Sequence, residues 1–137
     1  MDILSVRGFQ KRYGDKIAVR DLSLTVEAGD IYGFIGHNGA GKTTLIRSIV
    51  GAQAFDGGAI EVCGHDIARE PIAAKRVLAY VPDNPDIYEF MTGMQYLTYL
   101  ADIYEVPAQN RMERIEGLAR RLDIVDALGD PISSYSH

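Results

Sequence analysis

Gly36-His37-Asn38-Gly39-Ala40-Gly41-Lys42-Thr43 is the stretch that decides how this chain reads. Gly36, Gly41, Lys42 and Thr43 satisfy the pattern G-x-x-x-x-G-K-[ST] in full. Immediately before the loop, Ile31 to Ile35 is a continuously apolar run, which predicts a short strand buried on both faces. Immediately after it, Leu45, Ile46, Ile49 and Val50 form an apolar stripe at helical spacing, and Gly51 suits the left-handed position that ends such a helix. A glycine loop between a buried strand and a helix is the context that the pattern requires. The chemistry follows from the residue types. Glycines let successive backbone N–H groups point inward with no side chain in the way. The helix start turns the positive end of its dipole to the same place. Lys42 is expected to reach the β- and γ-phosphates of a nucleotide, and the Thr43 hydroxyl to ligate Mg²⁺, which prefers oxygen ligands.

Further outward, Leu22, Leu24 and Val26 alternate with polar neighbours and predict a half-buried strand, while residues 3–8 alternate weakly. Ala28-Gly29-Asp30 and Gly57-Gly58 read as turns, with a strand resuming at Ile60-Glu61-Val62. Beyond these the chain becomes mostly helical. A short helix is expected over 71–77 and a short apolar strand over 78–81, ended by Pro82. Thr92 with Gln95 forms a capping box for a helix striped by Met94, Leu97, Leu100, Ala101 and Tyr104. Pro107 opens a second helix, striped by Met112, Ile115, Leu118, Ala119 and Leu122. Both stripes are expected to be core. A last short helix is expected to end near Gly129.

The chain has 137 residues, 24% charged and 47% hydrophobic, the balance of one soluble globular domain. Its net charge is -5, with Lys and Arg scattered, so a nucleic-acid partner is not expected. The single cysteine, Cys63, fits a reducing compartment and reads as a small apolar strand residue. No leader is expected at the N-terminus, and no apolar run approaches the ~20 residues that span a bilayer. Any work at a membrane is therefore expected to go through a partner.

Set beside these residues, the whole chain resembles the ATP-binding subunits of ABC transporters. Gly36 to Thr44 matches that family's form of the loop, with Thr44 at its α-phosphate contact. The segment KRYGDKIAVRDLSLTVEAGDIYGF is similar to the family's first strands, and places Tyr13 where an aromatic ring stacks on adenine. GGAIEVCGHDI resembles the strand pair after the loop helix, and YVPDNPDIYEFMTGMQYL the Q-loop and the start of a helical subdomain. The family usually carries Gln or Glu at the position of Asp83; this shorter carboxylate can still ligate Mg²⁺, and Asp-Asn-Pro is equally a turn former. Ser134-Tyr135-Ser136-His137 resembles the opening of the signature L-S-G-G-Q, with Tyr135 and His137 replacing two of its residues.

The resemblance implies an α/β fold: a P-loop NTPase (RecA-like) core with an antiparallel β subdomain and a helical subdomain, truncated before Walker B. Residues 1–82 would be the β subdomain and P-loop core, and 83–137 the Q-loop and helical subdomain. It implies ATP and Mg²⁺ as cofactors. Tyr13, Gly36, His37, Asn38, Gly39, Ala40, Gly41, Lys42, Thr43 and Thr44 would hold the nucleotide. Lys42 would be catalytic, and Thr43 and Asp83 would be on the metal. The implied partners are a transmembrane permease and a second ATP-binding subunit, head to tail. The implied location is the cytoplasm, peripheral on the inner face of the membrane. No run of four apolar residues followed by Asp-Glu occurs; the nearest candidate, Leu122-Asp123-Ile124-Val125-Asp126, is interrupted. In this family the Walker B and histidine-switch strands would lie between strands 31–35 and 78–81, so their apolar faces are expected to be partly uncovered. The chain therefore reads as the N-terminal portion of a longer subunit, binding nucleotide but inactive alone. A GTPase would need N-K-x-D and a small kinase an Arg-rich lid, and neither is present. A non-hydrolysing binding fragment and a non-transport member of the family remain as alternatives.

Overall fold

A computed structural model of the chain describes residues 1–37, 39, 41–84 and 86–136. These divide into two compact units, Met1–Val81 and Pro82–His137.

The first unit is built on a long antiparallel hairpin. Strand β1 (Asp2–Tyr13) pairs with β2 (Lys16–Glu27), Tyr13 opposite Lys16 at the tight end. The other edge of β1 takes β3 (Gly57–Val62), which pairs in turn with the short β4 (His65–Asp66), giving the order β2-β1-β3-β4. Helix α1 (Lys42–Ile49) and helix α2 (Pro71–Arg76) belong to the same unit. Alternation, shifted by one residue at the irregularity between Val6 and Phe9, decides the core: Val6 and Phe9 of β1, Val19 of β2 and Ile60 and Val62 of β3 are buried together, and Leu45 of α1 closes onto them with Ile67 and Ala74. Each large side chain buried this way contributes about 1.5–3 kcal/mol. Phe55 packs its ring 5.8 Å from that of Phe9. Gly51 has φ 70°, the left-handed helix end read from the sequence.

Two expected strands are corrected. Residues 31–35 and 78–81 form no strand. Ile31 and Ile35 are 102% and 96% exposed, against the burial on both faces that the apolar run alone suggests, and Val81 is 88% exposed; apolar faces at least partly uncovered were expected of both segments in this chain. A doubly buried strand needs neighbours on both edges to pair its N–H and C=O groups. Among the described residues, the four strands present all belong to the antiparallel sheet. Cys63 is also corrected: it lies in the turn between β3 and β4 with φ 48°, half-buried, rather than in a strand.

The second unit centres on helix α3 (Gly93–Ile103) and helix α4 (Ala108–Arg121). The capping box is formed as read: Gln95 N–H donates to Thr92 Oγ1 at 3.2 Å, and Thr92 N–H to Gln95 Oε1 at 2.9 Å. The stretch after α4 returns to this helix start. Met94 N–H bonds Leu128 C=O at 2.9 Å, Ile132 N–H bonds Met91 C=O at 2.8 Å, and Leu128 and Ile132 are buried. The helix expected to end near Gly129 is a run of turns. Both stripes are less buried than expected: in that of α3, Met94, Leu97, Leu100 and Ala101 are half-buried and Tyr104 is exposed. In that of α4, Ala119 is buried and Ile115 half-buried, while Met112, Leu118 and Leu122 are exposed, because α3 covers only one edge of it.

Candidate functional site

The loop of residues 36–41 leads directly into α1, and its glycines carry the geometry. Gly39 and Gly41 have φ 85° and 93°. At Gly41 a Cβ would stand 2.5 Å from Val19 Cγ2 and 3.2 Å from the Ala18 carbonyl, so backbone conformation and close approach both require glycine there. Gly41 is the N-cap of α1 and supplies no side-chain cap, leaving the first-turn N–H groups free for a ligand. The first turn holds no acidic residue to repel an anion.

A cavity of about 410 Å³ opens at this helix start. The loop and helix contribute His37, Gly39, Gly41, Lys42, Thr43 and Thr44, and the end of the hairpin contributes Tyr13, Lys16, Ile17 and Ala18. Tyr13 thus comes together with the loop residues although ~30 positions separate them in the chain. Lys42 folds back over the loop, its Nζ donating to the carbonyls of Gly36 and, at 2.9 Å, of His37. These are neutral acceptors, and a phosphate oxygen would form the stronger, charge-assisted bond. The Thr43 side chain is exposed at the cavity, with no hydrogen-bond partner among the described residues.

Tyr13 is held by its hydroxyl, which donates to Gln53 Oε1 at 2.9 Å and lies 3.5 Å from Thr44 Oγ1. The neighbouring Thr44 hydroxyl, with the positive charges of Lys11 and Arg47, holds the phenol below the ordinary tyrosine range. The Lys11 ammonium lies over the ring, 5.2 Å from its centroid.

Asn38 and Ala40 fall outside the described residues. Asp83 is exposed in a bend of the second unit. No group of three or more His, Cys, Asp or Glu that could hold a metal occurs among the described residues. Lys16 and Gln53 were missed in the sequence. A hairpin reading of Tyr13-Gly14-Asp15-Lys16, with its two-residue turn, would have placed Lys16 beside Tyr13; Gln53 carries no sequence signal.

Known proteins resemble this chain in sequence and in fold. Among solved structures, one described as "Structure of ATP binding subunit of ABC transporter" superposes with a TM-score of 0.89 at 29% identity, covering 98% of this chain and 56% of that one. The daunorubicin resistance ATP-binding protein DrrA3 of Streptomyces coeruleorubidus is 35% identical over 133 residues, 97% of this chain and 42% of its own length. The Nod factor export ATP-binding protein I of Ralstonia nicotianae is 31% identical over 134 residues, 98% of this chain and 42% of its own. The chain therefore spans less than half the length of these curated relatives. The family model described as ABC transporter matches residues 19–137, which takes in the loop, α1 and both helices of the second unit. With the loop, the fold and the relatives in agreement, the chain belongs to the ABC transporter family.

Proposed function

We propose that this chain is the nucleotide-holding part of an ABC transporter's ATP-binding subunit, with ATP and Mg²⁺ seated on residues 36–44. The observation that carries this is the cavity in which Tyr13 faces the Lys42-Thr43-Thr44 start of α1. Lys42 binds the β- and γ-phosphates, and backbone N–H groups of the loop and first turn take the remaining phosphate oxygens. Gly36, His37, Asn38, Gly39, Ala40 and Gly41 shape that cradle, Thr44 lies by the α-phosphate, and the Tyr13 ring stacks on adenine. Thr43 would hold Mg²⁺, which would supply charge neutralisation between the phosphates. Lys42 is the catalytic residue of this set, in that it stabilises the charge of the transferred phosphoryl group.

Residues 1–82 serve as the β subdomain and P-loop core, and 83–137 as the Q-loop and helical subdomain. The division of the chain at Val81 and Pro82 supports this. The exposed Ile31 and Ile35 of 31–35 and Val81 of 78–81, together with the length of the relatives, support a longer domain whose further strands pair there. That intact subunit would be a cytoplasmic ATPase, meeting a second copy head to tail and coupling hydrolysis to a transmembrane permease. The permease would dock near residues 85–88. Tyr88 there packs its ring 5.7 Å from Phe90 and from Tyr99, and Phe90 is largely exposed; Pro85 falls outside the described residues. No helix among the described residues is long and apolar enough to cross a membrane.

Calorimetric titration with ATP and Mg²⁺ tests the reading. Loss of the Lys42 ammonium leaves phosphate charge uncompensated, so Lys42→Ala should weaken ATP roughly 10- to 100-fold. Lys75→Ala, in another part of the first unit, should leave affinity unchanged. Equal affinity of wild type and Lys42→Ala would remove Lys42 from the site.

A further inference from the structure

Gln53 stands in the loop between α1 and β3, outside the phosphate-binding motif, and it joins three parts of the nucleotide site. Its Oε1 accepts from the Tyr13 hydroxyl at 2.9 Å. Its Nε2 donates to the Thr44 carbonyl at 3.2 Å and lies 3.4 Å from Ser48 Oγ. Ser48 is fully buried and itself donates to the Thr44 carbonyl at 2.9 Å, so the amide is anchored on the inner side of α1. The orientation is self-consistent, with the carbonyl oxygen toward a donor and the amide nitrogen toward acceptors. The same loop grips the end of β1 at two more points. Asp56 Oδ2 accepts from Arg12 N–H at 2.7 Å, and Asp56 N–H donates to the Gln10 carbonyl at 2.9 Å.

The tether matters because of where Tyr13 sits. It is the last residue of β1 and its side chain is half exposed, so packing alone does not fix the ring. We propose that Gln53 is a positioning residue, which holds the Tyr13 ring ready for the base and so raises affinity for an adenine nucleotide without affecting the triphosphate. The inference rests on the reading that Tyr13 stacks on adenine. Ordering a free side chain on binding costs affinity, and a ring already tethered through its hydroxyl avoids that cost, a factor of roughly three- to tenfold. The hydroxyl then has a function of its own, so phenylalanine does not fully replace tyrosine at this position.

The experiment titrates the 137-residue chain with ATP and, separately, with inorganic tripolyphosphate, both with Mg²⁺. The variants are Gln53→Leu, Tyr13→Phe, the double variant and Tyr13→Ala. Gln53→Leu is expected to weaken ATP roughly three- to tenfold while leaving tripolyphosphate unchanged, an unchanged value that also reports an intact loop. Tyr13→Phe should lose at least as much, since it also removes the approach to Thr44 Oγ1, and the double variant should be no worse than Tyr13→Phe, because the tether between Tyr13 and Gln53 is already gone. Parallel losses for ATP and tripolyphosphate in Gln53→Leu would overturn the proposal, since the residue would then act on the phosphate loop. Additive losses in the double variant would overturn it too. The stacking reading fails separately, if Tyr13→Ala weakens ATP no more than tripolyphosphate.

Discussion

Gly41→Ala is the substitution whose consequence the structure specifies most fully. The residue sits at φ 93°, where a side chain costs about 1–3 kcal/mol of backbone strain. The new Cβ would lie 2.5 Å from Val19 Cγ2, against ~3.5–4.0 Å for an ordinary contact. Val19 cannot yield cheaply. It is buried in the core beside Leu45, and a β-branched side chain has few rotamers to offer. Overpacking of that kind costs a further ~1–3 kcal/mol. Gly39→Ala is the internal control. Its φ is 85°, yet among the described residues no atom lies within 4 Å of the added Cβ, so it carries the backbone strain without that clash. The stabilisation of about 0.4–1 kcal/mol that alanine gains by restricting the unfolded chain is common to both variants and cancels. Gly41→Ala should therefore be less stable than Gly39→Ala by about 1–3 kcal/mol, a midpoint gap on the order of 1 M urea with slopes unchanged. Coincident urea curves for the two variants would refute the packing of Val19 against the loop.

Other consequences are simpler to state. Thr92→Ala removes the side chain that caps α3 and should cost about 1 kcal/mol, read from urea denaturation followed by circular dichroism; an unchanged midpoint would count against the capping box. The chain alone should release phosphate from ATP far below about 1 per second, and turnover at that rate that disappears in Lys42→Ala would mean that a base and a metal ligand are present which this reading lacks. The intact subunit should sediment with membranes only when its permease is co-expressed, and sedimentation without the permease would argue against docking through a partner.

Much of this molecule was legible one segment at a time. The phosphate loop follows from four residue types at fixed spacing, the α3 start from Thr92 and Gln95, and the end of α1 from Gly51, because each is decided within a few residues of chain. The alternation of Leu22, Leu24 and Val26 predicted β2 for the same reason. What depended on partners far along the chain was not legible. The apolar run at 31–35 reads as a buried strand, but a strand exists only where neighbouring backbone pairs with it, and hydropathy carries no record of the neighbours. The stripe of α4 likewise shows which face is apolar and not how much of it another helix covers. At the site, the sequence named Lys42 and Thr43 by motif and Tyr13 by resemblance. Only the tertiary structure brought Tyr13 to the start of α1, tied its hydroxyl to Gln53 and Thr44, and placed Lys16 in the same cavity, because those approaches are made by the closing of the hairpin onto the helix, across ~30–40 residues of chain.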